Sequence, residues 1–600
     1  MEPSYQKISD RLDEWTKETF GESFAFRQYQ KEVAIGVILT FLTDEKKYYI
    51  AECPTGFGKS FMAFAIAGVL STYYDKTGYI LCSDISLTKQ YSRDLEQYLP
   101  WWGNLIGQKN YLCTLNGLNF NLGTCKLEGI KSYTEIEAKY PDCSYTCEYI
   151  SNRKKAALAP VTVCTYQWWL IQQNYIKRFL GEGAPFKTRD FVICDEAHNV
   201  LDIVQNQFSP RLGKEDITKI FNVIDSYGPY NDHIKGNIKG RIQKCRNVIF
   251  DEDDNDKVFI ALKNYFVEIE NLKFITKATK TAFGERIKKG EILNKTDRTI
   301  LSNCNFIEDY SRKFADFIGA IEEIGTKYIV KNDSDKDKGI LVFNCINESY
   351  LMNSVFHNNC NKGLFMSATI GDPDVFAKDL NISKDNYTYA NGIPSPFDFS
   401  KSPIYYLSRY RLNFKTKDWV FPELLRLTET IIRKYPDMHG IIQTGNYEFS
   451  AKILEKIDPE LQQRLIAYTD SQSKQEILNM FSIQSSDKIL IGPSLIEGID
   501  LKDDLCRFII MFKIPFPSLA DKYIKTKMEF DETWYANKTV ISVLQGVGRG
   551  VRNENDYCDT YILDGTFDRL LYGHPNMFTR DFMNRIVYIN ENELIENKLM

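Results

Sequence analysis

The chain has 600 residues, 43% of them hydrophobic, and a net charge of −5. That length carries several cores, so three or four domains are expected, and the acidic balance excludes a protein that holds nucleic acid through its overall charge; such binding needs a local basic groove. No apolar run approaches the length of a membrane span, the polar start MEPSYQKISDRLDEW predicts no export signal, and fourteen cysteines then fit a reducing, cytoplasmic compartment, where grouped cysteines more often hold metal than form disulfides.

The first feature in chain order is FRQYQ, with Arg27 and Gln30 ahead of an apolar helix predicted from Val33 to Leu42. A side-chain amide offers a donor beside an acceptor, which suits an adenine edge; a solvated helix start suits the same residues equally. In Tyr48 to Ser60, YYIAECPTGFGKS, a short apolar strand then runs into a glycine-bearing turn. Gly56 and Gly58 let the backbone aim several N–H groups at one anion, and the helix opening at Ser60 adds its dipole. Cys53, Pro54, Thr55, Gly56, Phe57, Gly58, Lys59 and Ser60 therefore read as an ATP phosphate loop, Lys59 reaching the β- and γ-phosphates and Ser60 holding Mg²⁺. Cys53 replaces the usual first glycine and is small enough for the loop to close.

Phe61 to Leu70 predicts a buried helix and Gly78 to Cys82 a strand, the alternation of a parallel sheet with crossover helices. Between Trp101 and Ala159 the alternation stops and Cys113, Cys125, Cys143 and Cys147 appear, a thiolate set suited to an iron–sulfur cluster or a zinc ion. It resumes with Val161 to Thr165 and Phe191 to Cys194, followed by Asp195-Glu196-Ala197-His198. Asp195 at a strand's carboxyl end suits the Mg²⁺ shell, and Glu196 suits positioning or deprotonating the attacking water.

From about Val204 to Ile346 the chain turns charged and helical in period, with Val258, Leu262, Tyr265, Phe266, Ile269 and Leu272 along one face; this reads as an inserted domain. KNDSDKDK at 331 to 338 reads as an exposed loop. Leu364 to Met366 restores a strand, followed by Ser367-Ala368-Thr369, whose hydroxyls suit a relay to a neighbouring domain. After a linker at Asn391 to Ser402, strands are predicted at Gly440 to Gln443, Ile489 to Ile491, Phe508 to Phe512 and Tyr561 to Leu563. Between them lie Glu497-Gly498-Ile499-Asp500 and a stretch from Gln545 to Arg552. Arg549 and Arg552 share a face if helical, either aimed at a γ-phosphate or forming an ordinary basic surface.

Taken in this order the pieces resemble a superfamily 2 helicase of the XPD/DinG iron–sulfur family. CPTGFGKS, DEAH, SATI at 367 to 370, EGID at 497 to 500 and QGVGRGVR at 545 to 552 carry the likeness, and GQKNYLC and CEYISNRKKAALAPVTV resemble the entry to and exit from the family's cluster domain. The resemblance implies an α/β fold: two RecA-like P-loop motor domains, an iron–sulfur cluster domain and a mainly helical Arch-type insertion in the first motor domain. The expected division is 1–100, 161–203 and 347–395 for the first motor, 101–160 for the cluster domain, 204–346 for the insertion and 396–600 for the second motor. It further implies Lys59, Asp195, Glu196, Gln545, Arg549 and Arg552 in catalysis, nucleotide contacts from the phosphate loop with Arg27, Gln30, Glu497, Gly498 and Asp500, and a [4Fe-4S] cluster on the four cysteines, with zinc as its rival. The implied activity is ATP-driven 5′ to 3′ movement on single-stranded DNA with unwinding of forked DNA, by a monomer serving repair, recombination or replication; an RNA helicase, a non-unwinding translocase or a nucleotide-gated binding subunit are the alternatives. The segment ahead of Arg27 predicts no nuclease domain. Trp101, Trp102, Trp168 and Trp169 are candidate base-stacking platforms, with buried packing the alternative.

Overall fold

The computed structural model describes residues 4–130, 132–390, 392–395, 398–467, 481, 487–493, 503–551 and 556–595. In chain order its strands are β1 Tyr48–Glu52, β2 Gly78–Cys82, β3 Gly103–Leu105, β4 Val161–Thr165, β5 Phe191–Cys194, β6 Arg211–Leu212, β7 Ile329–Asn332, β8 Leu341–Cys345, β9 Lys362–Ser367 and β10 Tyr387–Ala390. The second half adds β11 Ile404–Tyr406, β12 Gly440–Gln443, β13 Leu465–Ala467, β14 Ile489–Gly492, β15 Phe508–Met511, β16 Asp559–Ile562 and β17 Ile586–Tyr588.

Two seven-stranded sheets result, ordered β10-β1-β9-β5-β2-β4-β3 and β13-β14-β12-β15-β16-β11-β17, and every pairing in both is parallel. The continuous apolar strands require helices on both faces, since neither face meets water. Both sheets use the same fit at a strand start. Gly78 pairs with Phe191 and Gly440 with Phe508, and in each case a Cβ on the glycine would come within 2.2 Å of the opposing ring. This architecture is the two-motor α/β fold read from the sequence.

Between β5 and β9 lies the insertion, whose long helices Lys214–Ser226, Asp232–Asp251, Asn255–Lys288 and Lys295–Ile324 pack around the buried stripe of Val258, Leu262, Tyr265, Ile269 and Leu272. It also carries a small antiparallel sheet, β6-β8-β7, which the helical period had hidden. KNDSDKDK is accordingly not all exposed loop. Lys331 and Asn332 end β7 and are buried; Lys331 donates to the carbonyls of Phe250 (3.1 Å) and Glu252 (2.6 Å), and Asn332 donates to Asp521 (2.9 Å) on the second motor. Gly103–Leu105, expected to lie outside the alternation, extends the first sheet beside β4. No described helix is long and apolar enough to cross a membrane.

Candidate nucleotide site between the two parallel sheets

β1 delivers Cys53 to Ser60 to the carboxyl edge of the first sheet, where the chain turns at Gly56 (φ 80°) and Gly58 (φ 81°), a left-handed region that disfavours side chains. Cys53 is fully buried, has no such φ, and donates its N–H to the Ser367 carbonyl at 2.8 Å, so this position accepts a Cβ. Gln30 is buried behind the turn. Its Nε2 donates to the carbonyls of Phe57 and Gly58, both at 3.0 Å, and its Oε1 accepts the Arg27 N–H at 3.0 Å. Both amide hydrogens are thus committed to the loop, and in this structure Gln30 braces the turn where the sequence suggested adenine reading.

β5 delivers the two carboxylates. Asp195 is buried and accepts the Tyr91 hydroxyl (2.9 Å) and the Glu196 N–H (2.9 Å); burial, then the Glu196 charge, push it up to about 6 against the pull of Lys59. Glu196 adopts a left-handed backbone (φ 49°) that turns its side chain toward Lys59, 3.7 Å away. Burial alone would raise its pKa, but Lys59, then His198, Arg549 and the Ser367 hydroxyl outweigh burial and hold the carboxyl below its ordinary value. A carboxylate kept ionised beside a lysine is suited to orienting a water.

The second sheet reaches this site through the helix Glu532–Val547. Gln545 donates from Nε2 to His198 Nε2 at 2.7 Å, which leaves the imidazole proton on Nδ1, 2.7 Å from Ser367 Oγ, and that hydroxyl lies 3.4 Å from Glu196 Oε2. The result is a hydrogen-bond chain from Gln545 through His198 and Ser367 to Glu196. Gln545 also lies 3.4 Å from the Thr369 hydroxyl, and Asn537 accepts the Asp372 N–H at 2.9 Å. Gly371 permits that contact, since a Cβ there would sit 2.1 Å from Asn537 Oδ1. His198 and Asn537 were not singled out from sequence; His198 was visible only as the fourth letter of DEAH, and Asn537 had no local signal.

Arg27, Lys59, Asp195, Glu196, Gln545 and Arg549 all line one cleft of about 1750 Å³. Glu52, also unforeseen, lines it too, accepting the Ile370 N–H (2.9 Å) and the Tyr389 hydroxyl (3.2 Å). Glu497, Gly498, Asp500 and Arg552 lie outside the described residues.

The four cysteines Cys113, Cys125, Cys143 and Cys147 are all buried and share one neighbourhood: the thiol of Cys125, pushed up to about 11 mainly by burial, also feels the other three. Burial likewise raises Cys147, against the pull of the backbone N–H groups of Ile150 and Tyr149 at the start of the helix Glu148–Leu158. Gly123 keeps this space open, since a Cβ there would lie 3.1 Å from the Cys113 sulfur. Four buried thiols in one neighbourhood fit a group that takes thiolates. Among the described residues no three His, Cys, Asp or Glu side chains are gathered as a single-ion site. Of the four tryptophans considered as platforms, Trp102, Trp168 and Trp169 are packed in cores and Trp101 is exposed.

Two family models match in motor order: the type III restriction enzyme res subunit over residues 23–226 and the helicase C-terminal domain over 432–577. The chain is 21% identical to the ATP-dependent DNA helicase CHL1 of Candida albicans, over 78% of this chain and 62% of that one, and 22% identical to the ATP-dependent DNA helicase YoaA of Escherichia coli, over 92% and 93%. It spans less than two thirds of the yeast CHL1 relatives, covering 55% of the Saccharomyces cerevisiae protein. A solved XPD helicase superposes with a TM-score of 0.62 at 18% identity, over 94% of this chain and all of that one, and S. tokodaii Xpd4 with 0.57 at 14%. With the phosphate loop, the DEAH carboxylates and the glutamine and arginine of the second motor facing one cleft, the chain is similar to the XPD-type helicases in fold and to named ATP-dependent DNA helicases in sequence, and it carries the two helicase family models in motor order.

Proposed function

We propose that this chain is an ATP-dependent DNA helicase that moves 5′ to 3′ along single-stranded DNA and parts forked duplexes, acting as a cytoplasmic monomer in repair, recombination or replication. The observation that carries the reading is Arg549: it comes from the second motor, lines the cleft that holds Lys59, and helps keep Glu196 ionised. Lys59 and the loop N–H groups hold the triphosphate, Ser60 and Asp195 hold Mg²⁺, and Glu196 orients the water. Bound Mg²⁺ neutralises charge that develops on the phosphates. Arg549 meets that charge from across the cleft, so turnover loosens one motor from the other and the cleft cycles once per ATP. The buried fit of Cys53 supports a loop that closes on phosphate, which favours an enzyme over a passive nucleotide-gated module.

For the cysteine group we propose a [4Fe-4S] cluster on Cys113, Cys125, Cys143 and Cys147, supported by four buried thiols in one neighbourhood. Anaerobically purified protein then carries visible absorbance that Cys143→Ser bleaches; a colourless protein holding zinc contradicts it. The activity is tested with 5′-tailed and 3′-tailed duplexes and with DNA- against RNA-stimulated ATPase. Opening of 5′-tailed DNA alone is expected. Opening of only 3′-tailed substrates overturns the polarity, and stimulation by RNA alone overturns the substrate.

A further inference from the structure

The insertion's helix Asn255–Lys288 turns its stripe of Val258, Leu262, Tyr265, Ile269 and Leu272 into the core of that domain. Between Val258 and Thr276, both buried, the exposed residues are Ile260, Asn264, Val267, Asn271 and Phe274. At 3.6 residues per turn they form one lane on the side of the helix opposite the buried stripe. Their steps are four, three, four and three, the spacing of a coiled-coil seam, and none of the five is charged. Ile260 is 57% exposed, Val267 52% and Phe274 64%. Single apolar side chains on a surface are ordinary, but three in register on one lane cost free energy that a partner's burial would recover.

The two borders of the lane differ. Along one, at seven-residue steps, stand Asp256, Lys263, Glu270 and Lys277, whose charges alternate minus, plus, minus, plus. This border faces the helix Lys295–Ile324: Lys263 lies 3.4 Å from Glu322, and Glu270 accepts from the Ser311 hydroxyl and from Lys273 at 2.8 Å. The Lys263–Glu322 pair is on the surface and weak, so a better placed carboxylate competes for that lysine. Along the other border only Glu268 is charged, between Ala261 and Ile275, and Arg241 of the helix Asp232–Asp251 already holds it at 2.8 Å.

We infer that this lane is where two copies of the chain pair, helix against helix and antiparallel, about a two-fold axis passing beside Val267. Turning the helix end for end about that axis sets Lys263 toward Glu270 of the second copy and Asp256 toward Lys277 of the second copy. By symmetry each pair occurs twice, so four attractive pairs frame one apolar seam. A parallel pairing would instead turn the alternating border toward Ala261, Glu268 and Ile275, of which only Glu268 is charged and that one is taken. Asn264 and Asn271 suit the seam because a carboxamide both donates and accepts, and a polar residue there fixes the register of two helices. A lane without cations has nothing to offer a phosphate backbone. The contact is about 20 Å long at 1.5 Å per residue, which puts it among the small, transient interfaces below about 1,200 Å². The chain is therefore single when dilute, in keeping with a monomeric motor, and pairs as its concentration rises.

The test is sedimentation equilibrium of the full chain over rising concentration. The wild-type mass is expected to climb from one chain toward two. Val267→Asp brings an unpaired charge into the seam and raises the dimer Kd at least tenfold. Lys263→Glu sets like charges against Glu270 of the second copy, and Glu270→Lys does the same against Lys263, so each alone raises Kd about tenfold. The exchange Lys263→Glu/Glu270→Lys restores the pairs and returns Kd to the wild-type value, which a change confined to one chain would not do, since the two residues are seven apart on one helix. Melting temperature and ATPase of the dilute chain stay at wild type in Val267→Asp, whose side chain is on the surface. A wild-type chain that keeps the mass of one copy up to about 100 μM overturns the pairing and leaves the lane to a helix of another protein. A dimer that survives Val267→Asp, or a double exchange that fails to restore it, overturns it as well.

Discussion

The two seven-stranded sheets share strand direction, strand count and even the glycine-under-phenylalanine fit, yet they enter the nucleotide cleft by opposite edges. The first sheet uses its carboxyl edge, where Cys53 to Ser60 and Asp195-Glu196 follow directly from strands. The second reaches it from the helix Glu532–Val547 that runs back across the sheet, with Gln545 within the helix's last turn and Arg549 just past its end, at the amino edge beside the start of β16. One fold, repeated, thus builds an asymmetric joint: the lysine and carboxylates are fixed in one body, and the groups that complete them arrive only when the other body is in contact.

Breaking the first sheet's side has the largest expected effect. Glu196→Gln keeps the shape but removes the carboxylate beside Lys59, and ATP turnover falls about 10²–10⁴-fold, the range of a lost general base, with nucleotide binding retained; steady-state ATPase measures it. The second sheet's hydrogen-bond chain comes next. Gln545→Ala leaves His198 Nε2 without its 2.7 Å donor, so turnover falls about 10-fold and its stimulation by DNA falls further than the basal rate. Comparing both rates with Glu196→Gln separates loss of chemistry from loss of communication.

The same contrast governs how much was legible beforehand. The phosphate loop, the DEAH carboxylates and the central strands were readable because their signals are local: an apolar run, a turn that only glycine permits, a polar residue at the strand end. Gln30 was singled out, but its brace on the loop had no local signal, since its partners, the carbonyls of Phe57 and Gly58, sit 27 and 28 residues away in sequence. His198 and Asn537 act only across the cleft, and no single segment encodes that. β7 was hidden because its Lys331 and Asn332 read as solvated charge while the fold buries them against a helix end and the second motor. Trp102 and Trp169 look like Trp101 by type; only packing tells them apart.

Smaller effects sharpen the comparison. Gln30→Ala strips the brace from the first sheet's loop and leaves two carbonyls short of donors, costing ~1–3 kcal/mol, seen as a lower melting temperature and a raised KM for ATP. A second joint lies where Lys527 of the second motor meets Glu348 (2.5 Å) and Asp379 (3.4 Å) of the first, under Trp534. Burial, opposed by Lys527, pushes Asp379 up from an ordinary 3.8 to about 7. A carboxyl that keeps its proton longer in the folded chain stabilises it fully below the unfolded value, and that contribution is lost as pH rises to the folded one. The melting temperature of wild type should therefore fall relative to Asp379→Asn between about pH 4 and pH 7, the two pKa values, and run parallel to it above; a constant difference across that window speaks against the shift.

Arg549→Ala probes the joint between the sheets most directly, with ATP affinity and turnover measured on the same preparation. If the second motor completes the site held by the first, affinity stays within a few fold while turnover drops about 10³-fold or more, as for an arginine that meets phosphoryl charge in the transition state. Turnover equal to wild type would mean that Lys59 and Glu196 work without a partner across the cleft, and the two-body account would be wrong.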